Sequence, residues 1–238
     1  MCNLFRLLLL LILIAAPTAT YADSGQSTRV TDANQHVYQS AGRYPYREKS
    51  DYVLKELDLK PGDVVVDIGA GDGWWAEQMV KFVGTEGVIH ASEVEQKKVD
   101  EMKEKCADMP QIKPYLSPTD STGLSEDSCD LAFLSKTYHH LNEGGHVDYL
   151  RHLRKVIKPT GRVCVIERHP SLAAGRGKEH TWSPGLLTQQ AEKAGWILVR
   201  YELMTGTYHY VAIFVQKDLF PAEPPRRRPA AGRNRSMK

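Results

Sequence analysis

Apolar positions along this chain follow two rhythms. Short runs rich in Val, Ile and Leu occur at Val64–Ile68, Val88–Ser92, Ile112–Leu116, Leu131–Leu134 and Arg162–Glu167. A run of that kind bounded by turn residues is a buried strand, whereas apolar positions spaced three and four apart make one face of a helix. The second rhythm predicts helices over Asp51–Leu59, stopped by Lys60-Pro61-Gly62, over Gly73–Val83, ended at Gly84, and over Glu95–Ala107. Two more follow, Gly145–Ile157, stopped by Pro159-Thr160-Gly161, and a helix from Pro184 to Ala194. The last has Ser183 as its cap, Pro184 at its first position and Gly195 past its end, the residue types that helix termini favour. Two final strands, Trp196–Met204 and Tyr208–Gln216, are joined only by Thr205-Gly206-Thr207. That link is too short for a helical crossover, so one of the two must run antiparallel. Alternating strands and helices predict an α/β fold: a mostly parallel sheet, helices on both faces, and a C-terminal antiparallel hairpin.

The ends of the chain have a different composition. With 238 residues, 42% of them hydrophobic and 25% charged, the chain has the material for one sizeable core. In residues 1–22, Arg6 precedes ten apolar residues from Leu7 to Ala16, then Pro17 and a small-residue exit at Thr20-Tyr21-Ala22. Ten apolar residues fall short of the roughly 20 that span a bilayer, so the pattern predicts an export signal cut before Asp23. The expectation is a periplasmic or secreted protein, the alternative an uncleaved N-terminal membrane anchor. Residues 23–50 form an arm, 51–217 the globular domain, and 218–238 a Pro/Arg-rich disordered tail too poor in apolar residues to fold. Pro221–Lys238 carries +5, and once Arg6 leaves with the signal the body, residues 23–220, carries −4. Apart from the signal, membrane contact would come only from charge attraction of this tail. Cys106, Cys129 and Cys164 show no Cys-x-x-Cys spacing, which argues against a zinc site or a disulfide framework and for buried thiols. No metal ligand set is expected.

The chemistry centres on Val64-Val65-Val66-Asp67-Ile68-Gly69-Ala70-Gly71-Asp72-Gly73-Trp74-Trp75, a strand running into a glycine-dense turn that opens a helix. A dinucleotide fingerprint starting at Gly69 and Gly71 needs Gly or Ala at position 74, where this chain has tryptophan, so an NAD(P)-linked oxidoreductase is disfavoured. Asp67 and Asp72 suit a cationic ligand better than a pyrophosphate. Glu93, twenty residues beyond Gly73, puts a carboxylate at the end of the second strand, which supports a nucleoside ligand without choosing its class.

Asp67 followed by Gly-x-Gly-x-Gly resembles motif I of the class I S-adenosylmethionine-dependent methyltransferases. The resemblance covers roughly residues 36 to 217 and implies a Rossmann-like seven-stranded sheet in which the seventh strand inserts beside the fifth. It implies S-adenosylmethionine as cofactor, held by Asp67, Gly69, Gly71 and Gly73, with Glu93 accepting hydrogen bonds from both ribose hydroxyls. Asp120, after the third strand, is placed where the family often binds the adenine amino group, although an Asp in such a turn also serves the turn itself. Asp130–Leu141, with its Tyr138-His139-His140 run, resembles the fourth-strand motif of small-molecule methyltransferases, where the run sits beside the methyl donor. It departs from the Asn/Asp-Pro-Pro-Tyr/Phe motif of enzymes that methylate base or amide nitrogens, so a nucleic-acid partner is disfavoured. Ser40–Arg47 resembles the N-terminal arm of exported, type-11-like members, where Arg43 or Arg47 binds a carboxylate or is surface charge.

Methyl transfer from a sulfonium is mainly alignment, with some proton removal from the acceptor. His139 and His169 lead as catalytic candidates; His140, Glu167, Arg168 and His180 should rim the same pocket. The expected function is an exported S-adenosylmethionine-dependent methyltransferase acting on a small molecule. Its rival is a ligand-binding protein that keeps the fold without turnover. Acceptor and oligomeric state are not legible in these residues.

Overall fold

The β-branched run Val64–Ile68 forms strand β1, buried along nearly its whole length, and lies near the middle of a sheet in a computed structural model that describes residues 45–141, 144–173 and 179–221. The predicted export signal, Arg43 and the basic tail past 221 lie outside the described residues. The remaining strands are β2 (Val88–Glu93), β3 (Ile112–Leu116), β4 (Cys129–Ser135), β5 (Ile157–Arg168), β6 (Trp196–Leu203) and β7 (His209–Gln216), ordered β3-β2-β1-β4-β5-β7-β6. All pairings are parallel except those of β7, which runs antiparallel to both β5 and β6. The hairpin finish and the insertion of the seventh strand beside the fifth agree with the expected fold.

Helices α1 (Ser50–Leu57), α2 (Trp74–Val83), α3 (Gln96–Lys105), α4 (His146–Val156) and α5 (Pro184–Lys193) cover the sheet on both faces. Alternate strand residues point to opposite faces, and this divides the core. Val65, Leu131, Phe133, Cys164 and Ile213 pack with Leu57, Met79 and Met102. Val66, Ala132, Leu134, Val165 and Phe214 pack with Leu150, Leu153 and Leu187 on the other side. Within the described residues, no helix is long and apolar enough to cross a membrane. Cys106, Cys129 and Cys164 are buried free thiols, as expected from their spacing.

The predicted elements are present, with displaced ends. Tyr46 is buried in a 3-10 turn, Pro45–Lys49, that runs into α1, so folded structure includes part of the predicted arm. At the other end Lys217–Leu219 forms a turn held by Lys217 N–H to Gly195 O (3.0 Å) and by an Arg154–Asp218 ion pair, so the domain reaches past residue 217. Strand β5 starts at Ile157 rather than Arg162. Cys129 pairs with Ile157 and Leu131 with Arg162, so residues 158–161 bulge from the ladder. Gly161 is required there, since a Cβ would sit 2.7 Å from Asp130 O. Asp130 serves this joint, binding Lys158 (2.8 Å) and accepting the Val64 N–H (2.8 Å).

Candidate active site

Going out from β1, the chain goes to β2 on one side, while its other neighbour is β4; ligands of open α/β sheets bind beyond the strand carboxyl ends at such a reversal. The glycine turn lies there. Gly69 (φ 66°) and Gly71 (φ 61°) are in the left-handed region, where a side chain is strained. A Cβ on Gly69 would meet Thr137 Oγ1 at 2.5 Å, so this glycine admits the turn after β4. Gly71 has nothing within 4 Å of that position and leaves open space above the turn, whereas a Cβ on Gly73 would press on Met102 at 3.1 Å.

Two hollows meet at Gly69. One, of about 210 Å³, is polar and lined by Tyr46, Arg47, Asp67, Asp72, Trp75 and Lys136 among others. The other, of about 120 Å³, is mainly apolar, with Ile68, Val94, Pro118, His140, Leu141 and Tyr149 in its wall. Together they make a crevice with a charged end and an apolar end.

Asp67 lies in the wall of the charged end, 1% exposed, and its Oδ2 has no hydrogen-bond partner. Burial, reinforced by the charges of Glu93 and Asp72, pushes its carboxyl up to about 8. An orphaned buried acceptor costs stability, and a cation arriving in the hollow is the partner it lacks. Glu93 is buried at the end of β2; its Oε1 accepts the Gly71 N–H (2.7 Å) and its Oε2 the Val94 N–H (3.2 Å). Each oxygen keeps acceptor capacity beyond these bonds. At the lip, Arg47 forks onto Asp72 (2.8 and 3.2 Å) and lies 4.6 Å over the Trp74 ring. Burial works against ionisation of Asp72, but the Arg47 guanidinium outweighs it and holds the carboxyl below its ordinary range.

The histidines separate. His139 Nδ1 sits 2.8 and 2.9 Å from the two oxygens of Glu167, which is fully buried. Its Nε2 is buried without a partner. His140 and His180 stand beside it, with ring centroids 4.0 and 5.4 Å from that of His139. His169 is elsewhere: its Nδ1 accepts the Ser171 N–H (3.2 Å), and it is not among the described residues lining the crevice. Arg168 lies over Tyr208, 5.7 Å from the ring centre.

The structure therefore brings Asp67, Gly69, Gly71, Arg47 and His140 to one crevice, while Glu93 stands behind the wall on the Gly71 N–H and Gly73 is not among the lining residues. Asp120 is exposed and lines an adjoining hollow with Asp148 and Tyr149. Trp75 borders the crevice and donates from Nε1 to Ser135 Oγ (3.0 Å), while Trp74 lies under Arg47. Tyr46, Ser135, Lys136 and Tyr149 were not foreseen. Tyr46 is in an arm with no periodic pattern, and Lys136 takes a left-handed backbone (φ 59°) that its residue type does not advertise.

This geometry agrees with similarities to known proteins. Residues 65–161 match the family model described as a methyltransferase domain. A ribosomal RNA large subunit methyltransferase E from Methanobrevibacter smithii is 35% identical over 70 residues, 27% of this chain and 33% of that protein. The chain spans about a third of the length of the curated relatives it matches. Among solved structures, a SAM-dependent methyltransferase from Aquifex aeolicus superposes with a TM-score of 0.66 at 24% identity, covering 77% of this chain and 98% of that one. A cyclase, SpnF, superposes at 0.62 with 12% identity, covering 71% and 80%. These likenesses show the fold.

Proposed function

We propose that the protein is an exported methyltransferase that takes its methyl group from S-adenosylmethionine and places it on a small molecule. The observation that carries this reading is Asp67, a buried carboxyl whose Oδ2 has no hydrogen-bond partner, at the charged end of a crevice whose far end is apolar. A zwitterionic sulfonium nucleoside matches that polarity, its cationic amino-acid end toward Asp67 and its flat base toward Val94, Pro118 and Leu141. Bound there, it supplies an activated methyl group on a sulfur that is already a good leaving group.

The chain's own residues then align and shield. Glu93, braced by two backbone N–H groups, offers its spare acceptor capacity to the ribose hydroxyls. Gly71 keeps the turn open beneath the ligand. Tyr46 and Arg47 close the charged end from the N-terminal side. Asp120 is assigned to the adenine edge only through Thr119, Leu141 and Tyr149, which the two apolar hollows share. For proton removal His139 fits better than His169, because Glu167 accepts its Nδ1–H and so leaves the lone pair on Nε2.

A small acceptor is favoured over RNA by charge. Asp67 and Asp72 line the charged end together with Arg47 and Lys136, Asp120 and Asp148 line the adjoining hollow, residues 23–220 carry −4, and a phosphate backbone needs the opposite sign. The reading of residues 1–22 as an export signal rests on their composition, and N-terminal sequencing of the exported protein tests it, with Asp23 expected first.

Calorimetry with S-adenosylhomocysteine tests the crevice: binding is expected in the wild type and lost in Asp67→Ala. Binding of NADH instead would overturn the assignment. Transfer of label from S-adenosylmethionine into a small-molecule extract separates an enzyme from a binder, and label recovered in RNA would reverse the choice of acceptor.

A further inference from the structure

Three histidines meet beside the apolar end of the crevice. His139 and His140 occupy the 3-10 turn after β4, and His180 comes from the segment ahead of α5, forty residues on. One ligating atom from each lies within 4.8 Å of the other two. We infer that His139, His140 and His180 form a binding site for a divalent transition-metal ion of the zinc class, with Glu167 as the residue that orients His139.

Imidazole nitrogens are the ligands such ions favour, and a three-histidine set with a fourth position open is an established way of holding zinc. The surroundings are those a ligand histidine needs. Glu167, fully buried, holds Nδ1 of His139 at 2.8 Å. A carboxylate on the far nitrogen fixes the tautomer, aims the ring and raises its basicity as a ligand. That leaves Nε2 as the nitrogen His139 can offer, and an ion bound there takes up the lone pair, so in the loaded protein His139 does not serve for proton removal. The His139 side chain is only 4% exposed, and this Nε2 has no hydrogen-bond partner. Buried polar nitrogens are nearly always paired, and a bound ion supplies what this one lacks.

The geometry requires little movement. A tetrahedral ion with bonds of about 2.0–2.1 Å sets its ligands roughly 3.3 Å apart, so the rings need to draw in by no more than about 1.5 Å. His139 is held in place, whereas His140 and His180 are exposed and free to close on it. Glu179 Oε1, 3.8 Å from His180 Nε2, adds negative charge on the open side.

Because His140 also lines the crevice, an ion here would present its open position to whatever enters beside the apolar hollow. A hydroxyl or thiol bound to such an ion ionises near neutral pH. That use of the ion rests on the methyl-transfer reading; the site itself does not.

The test uses the full chain without an affinity tag, stripped by chelator and dialysed. Co²⁺ is titrated in while visible absorption is recorded, and Zn²⁺ is then added in competition. One ion per chain is expected, with the intense visible bands of four-coordinate cobalt and their loss on zinc addition. His140→Ala and His180→Ala, both at exposed positions and checked for folding by circular dichroism, should each weaken binding at least about 10-fold, and Glu167→Gln by about 10- to 100-fold. His169→Ala should leave affinity unchanged. The proposal is overturned if the wild type shows only the weak spectrum of hydrated cobalt, or if the His140→Ala/His180→Ala double variant binds as the wild type does. Failure of S-adenosylhomocysteine to bind would overturn the methyl-transfer reading and leave this result standing.

Discussion

Among single side chains, Asp67 couples folding to pH most directly. Its carboxyl titrates near 3.9 in an unfolded chain and at about 8 in the folded one. Between those values the unfolded chain has released its proton while the native state retains it. Stability therefore falls as pH rises from about 4 to about 8 and levels off above. Asp67→Asn removes the titrating group, so urea midpoints measured from pH 5 to 9 should decline less steeply in this variant than in the wild type. The same logic predicts that a cationic nucleoside binding at pH 7 drives a proton off Asp67. Calorimetry in buffers of different ionisation enthalpy should detect that proton in the wild type and not in Asp67→Asn. Glu93 acts differently, since two N–H groups depend on it. Glu93→Ala should weaken nucleoside binding by about 10- to 100-fold, the range for hydrogen bonds to a charged group, and should loosen the glycine turn.

At the level of elements, the sheet explains what could be read in advance. Strand and helix positions were legible because burial on one or both faces imposes a repeat, and the Thr205-Gly206-Thr207 link allowed only a hairpin. The bulge at 158–161 was not legible, since Pro159 and Gly161 mark a helix stop and a bulge with the same residues. Gly69, Gly71 and Glu93 were legible because backbone conformation and strand-end chemistry leave few residue types to choose from. Tyr46, Lys136 and the pairing of His139 with Glu167 depend on contacts 28 or more residues apart, for which local pattern carries no sign. Gly69 yields a sharp test at this scale. Gly69→Ala would place a methyl group 2.5 Å from Thr137 Oγ1 at positive φ, so the turns after β1 and β4 must part. A lower thermal midpoint together with lost S-adenosylhomocysteine binding is expected, by differential scanning fluorimetry and calorimetry. A Gly71→Ala variant should keep more of its stability, having only the backbone strain to bear.

For the molecule as a whole, Lys217 and Asp218 tie the C-terminal end of the described residues back to Gly195 and Arg154. A chain ended after Pro221 should melt within about 2 °C of the full chain, because the residues removed are too poor in apolar side chains to contribute a core. Ending it after Gln216 should lower the midpoint measurably. The burial of these three thiols has a consequence under the proposed export to an oxidising compartment. Burial pushes the thiols of Cys106, Cys129 and Cys164 up, and the thiolate is the form that attacks disulfides and peroxides. Cys129 and Cys164 lie on adjoining strands but out of register, Cys164 facing Phe133. Once the sheet has closed, these three thiols are shielded from mispaired crosslinks, so under the proposed export the vulnerable moment is the interval between crossing the membrane and closing the sheet.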